Sequence, residues 1–181
     1  MSIKPKTPQK ENPTKIDGRD LFQTPNYATK LIIPFLPKGI RVVWECACGE
    51  GKILKVLLDS GYGCAGTDLK QGINFLDYDY PEHYDAIVTN PPFSLKRKFY
   101  EQCRKHELPF ALLIPADYSG WIIRAIQDGA EKIIPTRRID YITPTNKESH
   151  SQFHSMWLTW GFGLGKTETF VDLTKEMKED I

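Results

Sequence analysis

Residues 41–68 read RVVWECACGEGKILKVLLDSGYGCAGTD, and this stretch decides the fold. Arg41-Val42-Val43-Trp44-Glu45 has the short apolar run expected of a buried strand. From Lys52 to Ser60, Ile53, Val56 and Leu57 fall on one helical face, and Gly61 stands where a helix C-terminus wants a residue free to adopt positive φ. Gly63 to Thr67 is a second short strand, ending at Asp68. Strand, helix and strand in so short a span are the opening unit of a parallel α/β sheet.

Outward from this unit the alternation continues. Asp85 to Thr89 is expected as a strand ending at Asn90, Leu95 to Lys105 as a basic helix, and Phe110 to Ile114 as a strand. Ser119 to Asp128 is expected as a helix closed by Gly129. Three late strands are expected at Arg138–Ile142, His154–Trp160 and Thr169–Leu173. They have no helices between them, so that end of the sheet is expected to be antiparallel. Residues 1–20 hold three prolines, five Lys/Arg and almost no apolar side chains, a composition expected of a flexible basic tail. Residues 21–175 form the expected domain and 176–181 a charged C-terminal tail.

Composition narrows the function classes. At 181 residues with 40% hydrophobic content the chain is expected to be one self-sufficient domain. No apolar run approaches a membrane span and no signal-peptide pattern opens the chain, so no membrane partner is expected. Cys46, Cys48, Cys64 and Cys103 lie within strand-like and helical patterns rather than a disulfide framework, which suits a reduced, cytoplasmic protein. The net charge of +1 conceals blocks of +4, −4, +4 and −3 over residues 1–40, 41–90, 91–147 and 148–181. Such segregation either gives a polyanion a basic face or is scattered solvated charge.

Ligands of open α/β sheets bind outside the carboxyl ends of the strands, so the polar residues there carry the chemistry. The first strand ends in Glu45-Cys46-Ala47-Cys48-Gly49-Glu50-Gly51, whose small residues let a ligand approach the backbone, or serve a structural turn. The spacing is not that of a dinucleotide loop, and its flanking acids suit a cationic amine better than a pyrophosphate. Asp68 either accepts both hydroxyls of a ribose or caps a turn. Asn90-Pro91-Pro92-Phe93 follows a strand, and its two prolines stop the sheet and stiffen the chain. That stiffness aims an amide side chain, a carbonyl and an aromatic face at one place, a set that can hold a planar amine.

On these residues the chain resembles the S-adenosylmethionine-dependent amino methyltransferases of the adenine-N6 nucleic-acid type, from about Phe22 to Leu173. Glu45 to Gly51 is similar to the family's first motif, with Glu for the usual Asp, and residues 90–93 match its catalytic motif in full. Weaker likenesses are Thr24-Pro25 and Asn74-Phe75-Leu76, where Asn74 replaces an Asp. The resemblance implies a Rossmann-like class I methyltransferase fold: a mainly parallel seven-stranded sheet with an antiparallel end and helices on both faces. It implies S-adenosylmethionine as cofactor, held by Thr24, Pro25, Glu45, Ala47, Cys48, Gly49, Gly51, Asp68, Asn74 and Phe75. It makes Asn90, Pro91, Pro92 and Phe93 the catalytic set. The expected substrate is the N6 amine of adenine in DNA. The alternatives are adenine N6 or guanine N2 of RNA, a protein glutamine amide, and a non-catalytic nucleic-acid-binding module. Lys96, Arg97, Lys98 and Arg138 are the candidate nucleic-acid contacts, with an exposed helix face as the plain alternative for the first three. Thr143 to Ser155, following Arg138 and Tyr141, is a candidate lining of the target-base side.

The chain is too short for a separate target-recognition region, which implies relaxed specificity, a partner subunit or a homodimer, as in small enzymes carried by phages. No metal is expected: Cys46 and Cys48 have no second ligand pair, and His150 and His154 lie in a polar loop. Gly161 to Thr167 imitates a phosphate loop, but Trp160 stands where its first glycine is required, so a turn between strands is expected.

Overall fold

Phe110 to Ile114 has no exposed side chain, because it lies mid-sheet with neighbours on both edges and both faces. The computed structural model describes residues 22–78, 83–143 and 151–180. The basic tail expected over residues 1–20 therefore lies outside the described residues, as do residues 144–150 of the stretch expected to line the target side.

Seven strands form one sheet: β1 (Val42–Glu45), β2 (Gly63–Gly66), β3 (Ala86–Thr89), β4 (Phe110–Pro115), β5 (Glu131–Pro135), β6 (Ser155–Trp160) and β7 (Glu168–Val171). Their order is β2-β1-β3-β4-β6-β5-β7. Only β6 runs against the rest, antiparallel to β4 and to β5, while β5 and β7 pair in parallel. The carboxyl ends of the other six strands thus open on one side of the sheet.

Helices cover both faces. α1 (Asn26–Lys30) and α2 (Lys52–Asp59) pack on one, where Ile32, Ile53 and Leu57 meet Val43, Val88 and Trp157. α3 (Lys96–His106) and α4 (Gly120–Gln127) pack on the other, where Phe99, Cys103 and Ile122 meet Trp44, Ile87 and Leu112. Each fully buried aliphatic side chain of this kind contributes roughly 1.5–3 kcal/mol. Among the described residues, no helix is long and apolar enough to cross a membrane.

One expected strand is misplaced. Arg138–Ile142 is not a strand: Ile139 and Tyr141 are buried as their alternation suggests, but the segment joins only an isolated bridge between Gln23 and Ile142. The strand is Glu131–Pro135. Its charges conceal it, since the Lys132 side chain is 2% exposed, paired with Glu168 and lying 4.4 Å from the Tyr118 ring. Glu131 accepts from Leu164 N and Gly165 N at 3.1 and 3.0 Å. The imitation phosphate loop is therefore a turn between β6 and β7 whose amides already hold a carboxylate.

Residues Glu176–Glu179, set apart in the sequence as a charged tail, form a short 3₁₀ turn. Tyr27 N donates to Asp180 O at 3.1 Å, and Lys178 pairs with Asp140 at 2.5 Å.

Candidate active site

The loops after β1 and β2 are laced together. Thr67 N donates to Glu45 O at 2.9 Å and Cys48 N to Thr67 O at 3.0 Å. Gly51 N closes a turn onto Cys48 O at 2.7 Å, and Gly51, at φ +75°, occupies the N-cap of α2. Gly66 lets the two loops meet: a Cβ there would lie 2.4 Å from Leu54 Cδ1 and 3.0 Å from Cys48 Cβ. Ala47 is half-buried at the bend and Cys48 is buried.

Glu45 is buried at the end of β1, and its Oε2 accepts from Leu54 N in the first turn of α2 at 3.0 Å. Burial pushes its carboxyl well above the ordinary range; the Leu54 N–H opposes that shift and the nearby Asp68 adds to it. Asp68 accepts from Gly49 N through Oδ2 and from Lys70 N through Oδ1, each at 2.9 Å. The turn-capping role weighed for it in the sequence is thus real. It does not consume the carboxylate, whose two oxygens offer about four lone-pair sites. Asn74 likewise caps its own turn, accepting from Leu76 N at 3.2 Å and donating to Asp77 at 2.5 Å. Phe75 belongs to the core, packed against Trp44 and Phe99 with ring centroids 5.2 and 4.9 Å away.

At the end of β3 the situation reverses. Asn90 Oδ1 is buried and has no hydrogen-bond partner among the described residues. An orphaned buried acceptor costs about 1–3 kcal/mol and in a native protein calls for an explanation, a ligand donor being one. Pro91 is buried, and Leu95 N donates to Pro92 O at 2.8 Å, which fixes the turn into α3. The half-buried Phe93 meets Tyr141 and Phe153 edge-on, each with centroids 5.6 Å away. Phe22 stacks on the far neighbour, Tyr141, at 6.4 Å. The result is an aromatic wall beside Asn90. Tyr141 stands next to the stretch expected to line the target side, and Phe153 lies within it.

The candidate phosphate contacts divide. Lys96 pairs with Asp117 at 2.9 Å and Arg97 with Glu101 at 2.8 Å. Lys98 and Arg138 are exposed, the latter donating weakly to Ser151 O at 3.4 Å. Burial works against ionisation of Asp117, but Ser119 and Lys96 outweigh it and hold its carboxyl below the usual value. Asp117 thereby ties the loop after β4 to the start of α3, a contact no motif announces.

Thr24 and Pro25 are buried at the start of α1. The residue before them, Gln23, is the one that reaches the glycine turn: its Oε1 accepts from Glu50 N at 3.1 Å. Its position next to Thr24-Pro25 was the only sequence signal for it.

This order of strands, with one reversed strand inserted near one end and helices on both faces, settles the architecture. The fold is the Rossmann-like class I methyltransferase fold. The methyltransferase subunit of a type I restriction-modification system from Streptococcus thermophilus superposes with a TM-score of 0.59 at 15% identity. That match covers 87% of this chain and 51% of the subunit, so the chain spans about half the length of that relative. Weaker matches are the glycopeptide N-methyltransferase MtfA complexed with S-adenosyl-L-methionine (TM-score 0.43, 12% identity, 77% and 78% of the two chains) and the CcbJ methyltransferase from Streptomyces caelestis (0.40, 12%, 78% and 75%). No protein-family model matches the sequence, and no curated protein matches it.

Proposed function

We propose that the chain is an S-adenosylmethionine-dependent methyltransferase acting on the exocyclic N6 amine of adenine in DNA. The observation that carries this reading is the orphaned Asn90 Oδ1, held by two prolines beside an aromatic wall. An adenine amine is a poor nucleophile because its lone pair is delocalised into the ring. Asn90 Oδ1 and the Pro91 carbonyl accept its two N–H groups, favour a pyramidal nitrogen and stabilise the positive charge that develops on attack. The half-buried Phe93 and Phe153, backed by the buried Tyr141, offer apolar surface to a base that has left the stack, an extrusion costing a few kcal/mol.

The donor set fits the cofactor. Asp68 keeps lone pairs for ribose hydroxyls, Gly49 and Gly51 leave the turn without side chains, and Glu45 would hold that turn through Leu54 N. Thr24, Pro25, Ala47 and Cys48 would shape that end of the crevice, and Asn74 the rim near its adenine; Phe75 supports the rim from the core. When bound, the cofactor supplies a methyl group activated by a sulfonium. The protein's part is alignment of amine and methyl for in-line displacement, which is worth several kcal/mol.

Lys96, Arg97, Lys98 and Arg138 are the contacts we assign to phosphate; Lys96 also pairs with Asp117 and Arg97 with Glu101. The shared fold of a restriction-modification methyltransferase subunit is compatible with this substrate.

The test is nucleoside mass spectrometry of DNA and RNA from cells expressing the wild type or Asn90→Ala. N6-methyladenine that rises in DNA with the wild type alone supports the reading. A methylated base confined to RNA transfers the same chemistry to RNA, and no change in either pool sinks it.

A further inference from the structure

Gly49 lies in the left-handed region, at φ +51°, and the peptides on both sides of it are held from outside. The preceding peptide donates Gly49 N–H to Asp68. The following peptide donates Glu50 N–H to Gln23 Oε1. The Gln23 amide also lies flat on Gly49, since a Cβ at residue 49 would sit 2.8 Å from Oε1 and 3.0 Å from Nε2.

Gln23 is itself anchored elsewhere. Its backbone exchanges both hydrogen bonds with Ile142, at 2.9 and 3.0 Å. Its neighbour Phe22 stacks on Tyr141, which touches Phe93. Two consecutive residues thus reach from the glycine turn to the aromatic wall.

We propose that Gln23 is a positioning residue that locks the Gly49–Glu50 peptide for cofactor binding and ties that turn to the acceptor side of the crevice. This rests on the methyltransferase reading above and adds to it a residue outside the motifs. With the side chain gone, Asp68 still holds one peptide of Gly49, but the other is free to rotate. The turn then has to be ordered by the cofactor, at a cost in affinity.

The experiment is calorimetric titration of S-adenosylmethionine into the full chain for wild type, Gln23→Leu and Gln23→Glu. Leu removes the acceptor, whereas a Glu carboxylate oxygen still accepts from Glu50 N. Loss of preorganisation is expected to weaken binding about tenfold in Gln23→Leu, and Gln23→Glu is expected to recover to within about threefold of wild type. The thermal midpoint of Gln23→Leu should fall by no more than about 2–4 °C, the loss of one exposed hydrogen bond, and recovery of affinity in Gln23→Glu is what a merely structural role does not predict.

A second cycle guards against a poorly folding variant. Gly49→Ala should weaken binding more in the wild type than beside Gln23→Ala, where the amide it strikes is absent. Equal binding by wild type and Gln23→Leu, no rescue by Gln23→Glu, or an additive cycle overturns the proposal. A folded wild type that binds no S-adenosylmethionine instead overturns the methyltransferase reading, and this inference with it.

Discussion

The loops after β1 and β2 and the loop after β3 follow the carboxyl ends of neighbouring parallel strands, yet they meet their hydrogen-bonding needs in opposite ways. Glu45 and Asp68 already hold backbone N–H groups, at 3.0 and 2.9 Å. Asn90 holds none. A satisfied loop is rigid before its ligand arrives, and removing a member costs stability. An unsatisfied buried acceptor is a cost carried until a donor arrives. Residues of the first kind should reveal themselves in unfolding, and those of the second kind in turnover.

The largest expected effect follows directly. Asn90→Ala should lower methyl transfer by about 10²–10³-fold, the usual loss on removing one such acceptor or donor. Its unfolding free energy should stay level or rise slightly, since an orphan leaves the interior. A urea midpoint that falls with activity would break the contrast. Asp68→Ala should do the reverse in the free protein. It strips the partner from Gly49 N and Lys70 N and should cost about 0.5–2 kcal/mol, as lost caps do, before any cofactor is added.

Glu45→Gln sharpens the comparison through pH. Burial raises the native pKa of Glu45, so its contribution to stability is complete below the unfolded value of about 4.3 and is lost as pH rises through the native value. A Gln amide oxygen can still accept from Leu54 N but carries no charge to bury. The variant should therefore be less sensitive to pH above about 4.3 in urea unfolding, and parallel profiles for the two proteins would show that burial of Glu45 has no energetic consequence.

The smallest effect is expected for Lys96→Met, under about 1 kcal/mol because the Asp117 pair is partly exposed. Here the native pKa is depressed. The stabilisation is present above the unfolded Asp value and disappears as pH falls through the native one, so variant and wild type should converge in acid.

The sequence was most informative where side chains obey one demand at a time. Val42 to Glu45, Ala86 to Thr89 and Phe110 to Pro115 are plainly strands because both faces are buried. β5 was missed because Lys132 answers two demands, apolar burial and an ion pair with Glu168, and only the fold shows the second. Arg138–Ile142 was mistaken for it because alternating burial of Ile139 and Tyr141 needs no ladder. α1 also escaped notice, its five residues being too few for a helical period to show. In the candidate site, the motif residues were legible because their chemistry is local. Gln23, Gly66, Asp117 and Phe153 were not, since each acts on a partner distant in sequence.

The reversed strand β6 also bears on how the chain is made. β4 is complete at Pro115, but the neighbour that shields its second edge is Ser155–Trp160, at the far side of α4 and β5. During synthesis the most apolar strand of the protein emerges with one row of amides and carbonyls unpaired, and stays so until β6 leaves the ribosome. An open apolar edge of this kind invites pairing with other chains. A chain released after β5 would carry the glycine turn and Asn90 to Phe93 and still expose that edge of β4, although β6 supplies none of these residues.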